Sequence, residues 1–339
     1  MKRIHYTAAA LLAVALLTAC EHKELCYDHP HTTNIDVVFD WSYAPDAETN
    51  NEVEGMCLYF YPIDGRNTDP IYVSLAGMKG GRVEIPTGRY NVLYYNNDYK
   101  QVLFRGTEHF FTHECYTREA DLFEPIAGVR SSSSVPRAEG TENERIVLTP
   151  EMMWGDNAMD VQITDNRIEY RFTRDGETEE TVIANDEKRF LLMPHEQVCT
   201  YTYEILNVEN LKYVTQLSAS ISGMSGSVFC AEERLTEECV TLPLEAKSDG
   251  VSTITGEFQT FGHHGDNDER HILTLYVWYE DGSKYYYTND VTDQVDNATD
   301  KRNVHIVVDG LKLPKPIVNG GGLQPDVDEW ETVDVPIEM

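Results

Sequence analysis

The sequence predicts an all-β protein made of two antiparallel β-sandwich domains in tandem. Three observations carry this. Short segments alternate apolar with polar residues or run apolar throughout. Turn signals such as Ile63-Asp64-Gly65, Lys79-Gly80-Gly81, Pro86-Thr87-Gly88 and Asp281-Gly282 separate them. No window long enough for a stable helix shows a 3.6-residue apolar period with caps.

The first series of strands begins at residues 35–43, where alternation slips once at Val37-Val38, and continues through 56–61, 71–75, 82–85, 90–95 and 101–104. A Ser/Pro/Glu/Gly-rich stretch at 128–143 cannot bury apolar area and reads as a mobile loop. Strand pattern resumes at 145–149, and Asp175-Gly176 marks a hairpin between 168–172 and 181–183. A second series follows at 189–193, 201–208, 213–221, 240–244, 253–261, 272–279, 284–288 and 303–308. The expected organisation is therefore a domain at 34–187, a second at 188–315, and an acidic tail at 316–339. Within that tail, residues 333–338 alternate well enough to be a strand, either completing the protein's own sheet or donated to a partner.

The N-terminus has its own logic. Lys2 and Arg3 precede an apolar run from Ala8 to Leu17, which is too short to span a bilayer permanently and fits an export signal over residues 1–19. Leu17-Thr18-Ala19-Cys20 resembles the lipobox of bacterial lipoproteins, in which the cysteine is lipidated and begins the mature chain. Cys20 then anchors the protein to outer-membrane lipid through a tether at 20–33; the other reading is an ordinary secretory signal. Without residues 1–19 the formal charge moves from -31 to -33, because two basic residues and no acidic ones are removed. A chain this acidic is repelled by phosphates, so nucleic acid is excluded as a partner.

Six cysteines follow Cys20, and six allow fifteen pairings. None has Cys-x-x-Cys spacing. Cys57 sits in an apolar run, where a free thiol and a bridge are both open. Cys230 and Cys239 bracket a short acidic segment and form the candidate local disulfide.

Three stretches carry a family resemblance: the lipobox; Cys26-Tyr27-Asp28-His29 leading into Val37-Val38-Phe39-Asp40-Trp41; and residues 214–228, together with Leu275-Tyr276-Val277-Trp278-Tyr279. They resemble the fimbrillin-like lipoproteins of Bacteroidales, near the fimbrial anchor and assembly proteins. The resemblance implies two transthyretin-like sandwiches, lipoprotein export, an outer-membrane location and a fimbrial subunit as partner through strand addition. It also implies a role as anchor or accessory subunit in cell adhesion. Subunits of that superfamily are matured by cleavage after arginine. Here Glu21-His22-Lys23-Glu24 is only partly acidic, which bears on display outside the cell.

Arg130 and Arg137 flank the serine run and are the candidate proteolysis sites. His263, His264, Asp266, Asp268 and His271 are the densest group of possible metal ligands, although a polar hairpin loop has the same composition, and no metal or cofactor is expected. A surface glycan-binding lipoprotein serving a polysaccharide uptake system is the alternative function, with Trp154 and Trp330 as stacking platforms; Trp41 and Trp278 lie in strand patterns and read as core. No catalytic signature appears: Gly223-Met224-Ser225-Gly226 is no nucleophile elbow, and His113-Glu114 and His195-Glu196 lack the second histidine of a zincin.

Overall fold

The computed structural model describes residues 31–50, 53–65, 69–126, 135–173, 180–265, 269–315 and 331–332. Strand Thr32–Phe39 lies between Gly80–Pro86, antiparallel, and Arg189–Leu192, parallel. A larger sheet faces this one, in the order Glu180–Asn185, Ile168–Thr173, Trp154–Ile163, Gly88–Asn96, Gly55–Pro62, Ile71–Ala76. Period-two alternation decides what enters the space between them. Ile35, Val37 and Phe39 point in and are buried, while Val38 stays half-exposed, so the double valine does not break the period. They meet Leu58, Phe60, Val92, Tyr94 and Val161 of the facing sheet in one core.

The second half repeats the plan. One sheet runs Lys247–Ser248, Ile254–Thr260, Cys199–Leu206, Asn303–Asp309; the other runs Arg145–Ile146, Cys239–Leu244, Val214–Ser225, Ile272–Tyr279, Lys284–Asp290, Glu331–Thr332. Tyr201, Tyr203 and Ile205 meet Ile221, Leu242 and Leu275 across the layer. Each such side chain contributes about 1.5–3 kcal/mol by leaving water. Tyr203 stands opposite Gly256, where a β-carbon would lie 2.2 Å from its ring, so the glycine makes room for the tyrosine.

Several expectations change on this framework. Among the described residues four strand pairs are parallel, so the sheets are mixed rather than purely antiparallel. Residues 189–192, read as opening the second series, complete the first sandwich beside Thr32–Phe39. Arg145–Ile146, read within the first, joins Cys239–Leu244 of the second. Strand Trp154–Ile163 has no clean alternation because its register against Gly88–Asn96 shifts between Tyr90 and Val92, with Asp160 at φ 54°. The stretch expected to be a mobile loop is docked from Val135 onward: Tyr276 Oη donates to the Pro136 carbonyl at 3.1 Å, and the Arg137 guanidinium donates to the Glu142 and Glu144 carbonyls at 3.0 and 2.7 Å and to Thr241 Oγ1.

Gly80 begins the strand beside Thr32–Phe39 with φ +91°, and a β-carbon there would lie 2.2 Å from the Val37 carbonyl oxygen. Gly77, at φ +72°, has nothing within 4 Å of that position. Gly80→Ala is expected to cost about 2–3 kcal/mol and Gly77→Ala only about 1, since the first adds a backbone clash to the positive-φ penalty. Urea denaturation of both variants measures the difference; equal losses would refute it.

Candidate functional site at the junction of the sandwiches

The two sandwiches are joined by a third element that neither half makes alone. Val102–Arg105 and Glu114–Thr117 from the first half pair with Ser227–Phe229 and Arg234–Leu235 from the second in one four-stranded sheet. Beneath it lies a separate core of Cys57, Tyr61, Leu93, Tyr95, Phe110, Cys115, Cys230 and Phe261. The run Met56-Cys57-Leu58-Tyr59-Phe60-Tyr61 explains how. Met56, Leu58 and Phe60 fill the first sandwich, while Cys57 and Tyr61 emerge on the opposite face and fill the junction. A strand buried on both faces has no reason to alternate.

His113 is fully buried in this core. Tyr61 Oη donates to the Thr107 carbonyl at 3.0 Å, so it accepts from His113 Nδ1 at 2.6 Å, and Tyr95 Oη then donates to His113 Nε2 at 2.9 Å. Burial pushes the imidazole pKa down to about 4, which keeps it neutral in the role this chain of bonds requires. Glu114, next in sequence, pairs with Arg105 across the small sheet and accepts from Ser227 of the second half. Burial pushes its pKa up, but the Arg105 and Ser227 bonds outweigh that and hold it below the usual range.

A charge network closes the outer side of the junction. Asp156 comes from strand Trp154–Ile163, His195 and Gln197 from the connection between the sandwiches, Glu233 from the turn after Ser227–Phe229, and Arg302 from the start of Asn303–Asp309. His195 Nε2 contacts Glu233 Oε1 at 2.8 Å, and its Nδ1 lies 3.7 Å from Asp156 Oδ2. Arg302 holds the other Glu233 oxygen at 2.8 Å and also donates to the Glu196 carbonyl. Gln197 Nε2 donates to the Gly155 carbonyl at 3.0 Å. Burial alone would lower the His195 pKa, yet the Glu233 bond and the two carboxylate charges raise it above the ordinary value. Asp156, His195 and Glu233 each offer a ligand atom within 4.8 Å of the others, so they have the donor set for a metal. The geometry instead favours an imidazolium between two carboxylates, because each ring nitrogen faces a different carboxylate and Arg302 already occupies Glu233. No sequence signature marks these residues, since they come from four separate segments.

The other sequence candidates disperse. Cys20, Arg130, Asp266, Asp268, Trp330 and residues 333–338 lie outside the described residues. Arg137 is engaged by the second sandwich as described, so it is not a side chain of a free loop. Trp154 is 6 % exposed and packs in the first core, so it offers no stacking face; burial, not ligand binding, explains it. The Cys230–Cys239 pairing is not formed. Cys230 turns into the junction core, while Cys239 sits opposite Ser225 at the start of its strand. His264 Nε2 bonds the Thr236 carbonyl at 2.6 Å, apart from His263 and His271, whose rings lie 5.3 Å apart. Glu331–Thr332 pairs with Tyr285 and Tyr286 of strand Lys284–Asp290 and leaves the rest of that edge uncovered by described residues.

Burial raises the thiol pKa of Cys57 and Cys115, and pushes those of Cys199 and Cys239 to about 11. Native-state alkylation at pH 8 is expected to leave Cys57 and Cys115, and Cys230 through its burial alone, unmodified until guanidinium unfolds the chain, with Cys239 mapped as a free thiol. A Cys230–Cys239 disulfide peptide would refute this. The raised His195 pKa stabilises the fold fully below the unfolded value near 6.5, and that contribution disappears as pH rises through the folded pKa. Glu233, held low by His195 and Arg302 against its burial, contributes above the unfolded carboxylate value and loses this as pH falls. His195→Gln is expected to cost about 1–2 kcal/mol near pH 6 and clearly less at pH 9. Denaturant melts at both pH values test the sign; a pH-independent cost would contradict it.

The chain is similar to several known proteins. A protein of Bacteroides ovatus designated a candidate fimbrium anchoring subunit, Fim4B, is 25 % identical over 379 residues, covering 99 % of this chain and 100 % of that one. The crystal structure of a candidate adhesin from Bacteroides ovatus aligns with a TM-score of 0.57 at 21 % identity, over 88 % of this chain and 98 % of that one, and shows a shared fold. The fimbrial anchor protein Mfa2 from Porphyromonas gingivalis aligns with a TM-score of 0.45 at 14 % identity, over 82 % and 91 %. The model of the family described as Domain of unknown function (DUF5119) matches residues 19–245, from the residue before Cys20 to just past strand Cys239–Leu244, and the chain belongs to that family.

Proposed function

We propose that the protein is a lipid-anchored subunit at the base of, or accessory to, an adhesive fimbrium of the cell envelope. The observation that carries this is the end-to-end match with the candidate fimbrium anchoring subunit, which leaves almost none of either chain unaligned. The lipobox-like Leu17-Thr18-Ala19-Cys20 agrees with it, since lipid on Cys20 would hold such a subunit at the outer membrane facing the cell surface.

The architecture suits the role. An anchor needs one end fixed to the membrane and another that receives a subunit. Strand Lys284–Asp290 is bonded on one side along its whole length, and on the other, among the described residues, at Tyr285 and Tyr286, so that edge is where an added strand would pair. The glycan-binding alternative rests on Trp154 and Trp330; the first is buried in a core and offers no stacking face, and the second lies outside the described residues.

The test is crosslinking on intact cells of the source bacterium, with affinity recovery and mass spectrometry, comparing wild type with Cys20→Ala. A fimbrial subunit recovered with wild type and depleted with the variant is the expected result. Recovery of polysaccharide transporters instead, or of no envelope partner, would overturn the proposal.

A further inference from the structure

In the larger sheet of the second sandwich, Glu331–Thr332 lies beside Lys284–Asp290 in parallel. Two pairs fix its register: Glu331 opposite Tyr285 and Thr332 opposite Tyr286. Residues directly opposed in a sheet put their side chains on the same face. Tyr287 lies in the core of the sandwich with Tyr285 packed against it, and Asn289, on that same face, is buried. Tyr286 is on the other face, against the outer cluster of Leu122, Phe123 and Tyr276.

This register settles where the residues after Thr332 fall when the ladder is continued. Residues 333–338, Val-Asp-Val-Pro-Ile-Glu, lie outside the described residues. By position, Val333 comes opposite Tyr287, Asp334 opposite Thr288, Val335 opposite Asn289, and Pro336 opposite Asp290, the last residue of the strand. Both valines then fall on the core face and the aspartate on the outer face. Each valine extends a row that already crosses the sheet: Tyr287, Leu275, Ala219 and Leu244 are successive neighbours in one, and Asn289, Leu273, Ile221 and Leu242 in the next. A register one residue out would turn both valines to the outside and Asp334 to the core. The proline falls where the ladder ends, and an edge position there tolerates its missing N–H.

We propose that residues 333–336 dock on the 287–290 edge of Lys284–Asp290 as the continuation of Glu331–Thr332, closing the second sandwich on that side with the chain's own segment. The two described pairs deliver the segment to that edge already in register, and a tethered segment competes at a far higher effective concentration than a separate strand. An edge held this way is also shielded from pairing with other chains. The inference goes beyond the fimbrial assignment and holds without it. A strand added at this edge by another subunit would first have to displace residues 333–336, so the segment acts as a guard against premature addition.

The test compares the mature chain with one ending at Thr332, by thermal melts, hydrogen exchange and size-exclusion chromatography. Truncation is expected to lower Tm by about 2–4 °C. It should also speed amide exchange in peptides covering 287–290 by about tenfold or more, and a synthetic peptide of residues 331–338 should restore that protection. In the full-length mature chain, Val333→Asp and Val335→Asp should reproduce the losses while Asp334→Asn melts as wild type, a comparison that still decides if the truncated chain fails to fold. Wild-type Tm and exchange in the truncated chain, or equal effects of Val333→Asp and Asp334→Asn, would overturn the proposal. So would a wild-type dimer that truncation dissociates, since the segment would then be donated to a second copy.

Discussion

Strand Gly55–Pro62 and its neighbour Gly88–Asn96 are each buried on both faces, and the rest of the molecule depends on that constraint. One face closes the first sandwich with Leu58, Phe60, Val92 and Tyr94; the other supplies Cys57, Tyr61, Leu93 and Tyr95 to the junction. A sheet with one wet face would end the hydrophobic layering there. With two dry faces it must be covered again, and the covering elements come from both halves of the chain. The second sandwich is therefore attached through a continuous sequence of packed layers rather than by a linker, and its position follows from the same alternation that builds the first.

The polar groups at the junction extend this arrangement. A buried apolar contact alone is non-directional, and surfaces joined by it can slide. His113 between Tyr61 and Tyr95, Glu114 between Arg105 and Ser227, and His195 between Asp156 and Glu233 each fix one orientation by hydrogen bonds of definite direction. His113 is held within the first half, but Glu114 and His195 take Ser227 and Glu233 from the second, so those contacts form only when both sandwiches are in place. The two sandwiches therefore hold one orientation relative to each other.

Much of the fold was legible because strands and turns are local. Asp281-Gly282 turns between Ile272–Tyr279 and Lys284–Asp290 as its sequence requires, and Ile168–Thr173 and Glu180–Asn185, the strands on either side of the other Asp-Gly, pair antiparallel. Trp154–Ile163 was illegible because a bulge at Asp160 disrupts the period that would announce it. Arg189–Leu192 looked like the start of something new; its assignment depends on a parallel partner about 150 residues earlier. Sites fared worse for the same reason. His195 was visible beside Glu196, but Asp156, Glu233 and Arg302 meet it only where separate segments come together. Trp154 and Cys230 were misjudged because burial in a core between sheets leaves no mark on a single segment.

Thr32–Phe39 shows a further consequence. It is the first described strand after the N-terminal segment, and it lies between two neighbours, in register with Gly80–Pro86 over seven residue pairs and with Arg189–Leu192 over four. A pull along its axis loads those bonds in shear, many at once, and the strand cannot peel away from an edge. Toward the opposite end of the sequence, Glu331–Thr332 pairs over two residues among those described. Under tension these two strands are therefore unequal: Thr32–Phe39 shares its load over eleven residue pairs, seven with one neighbour and four with the other, and Glu331–Thr332 over two.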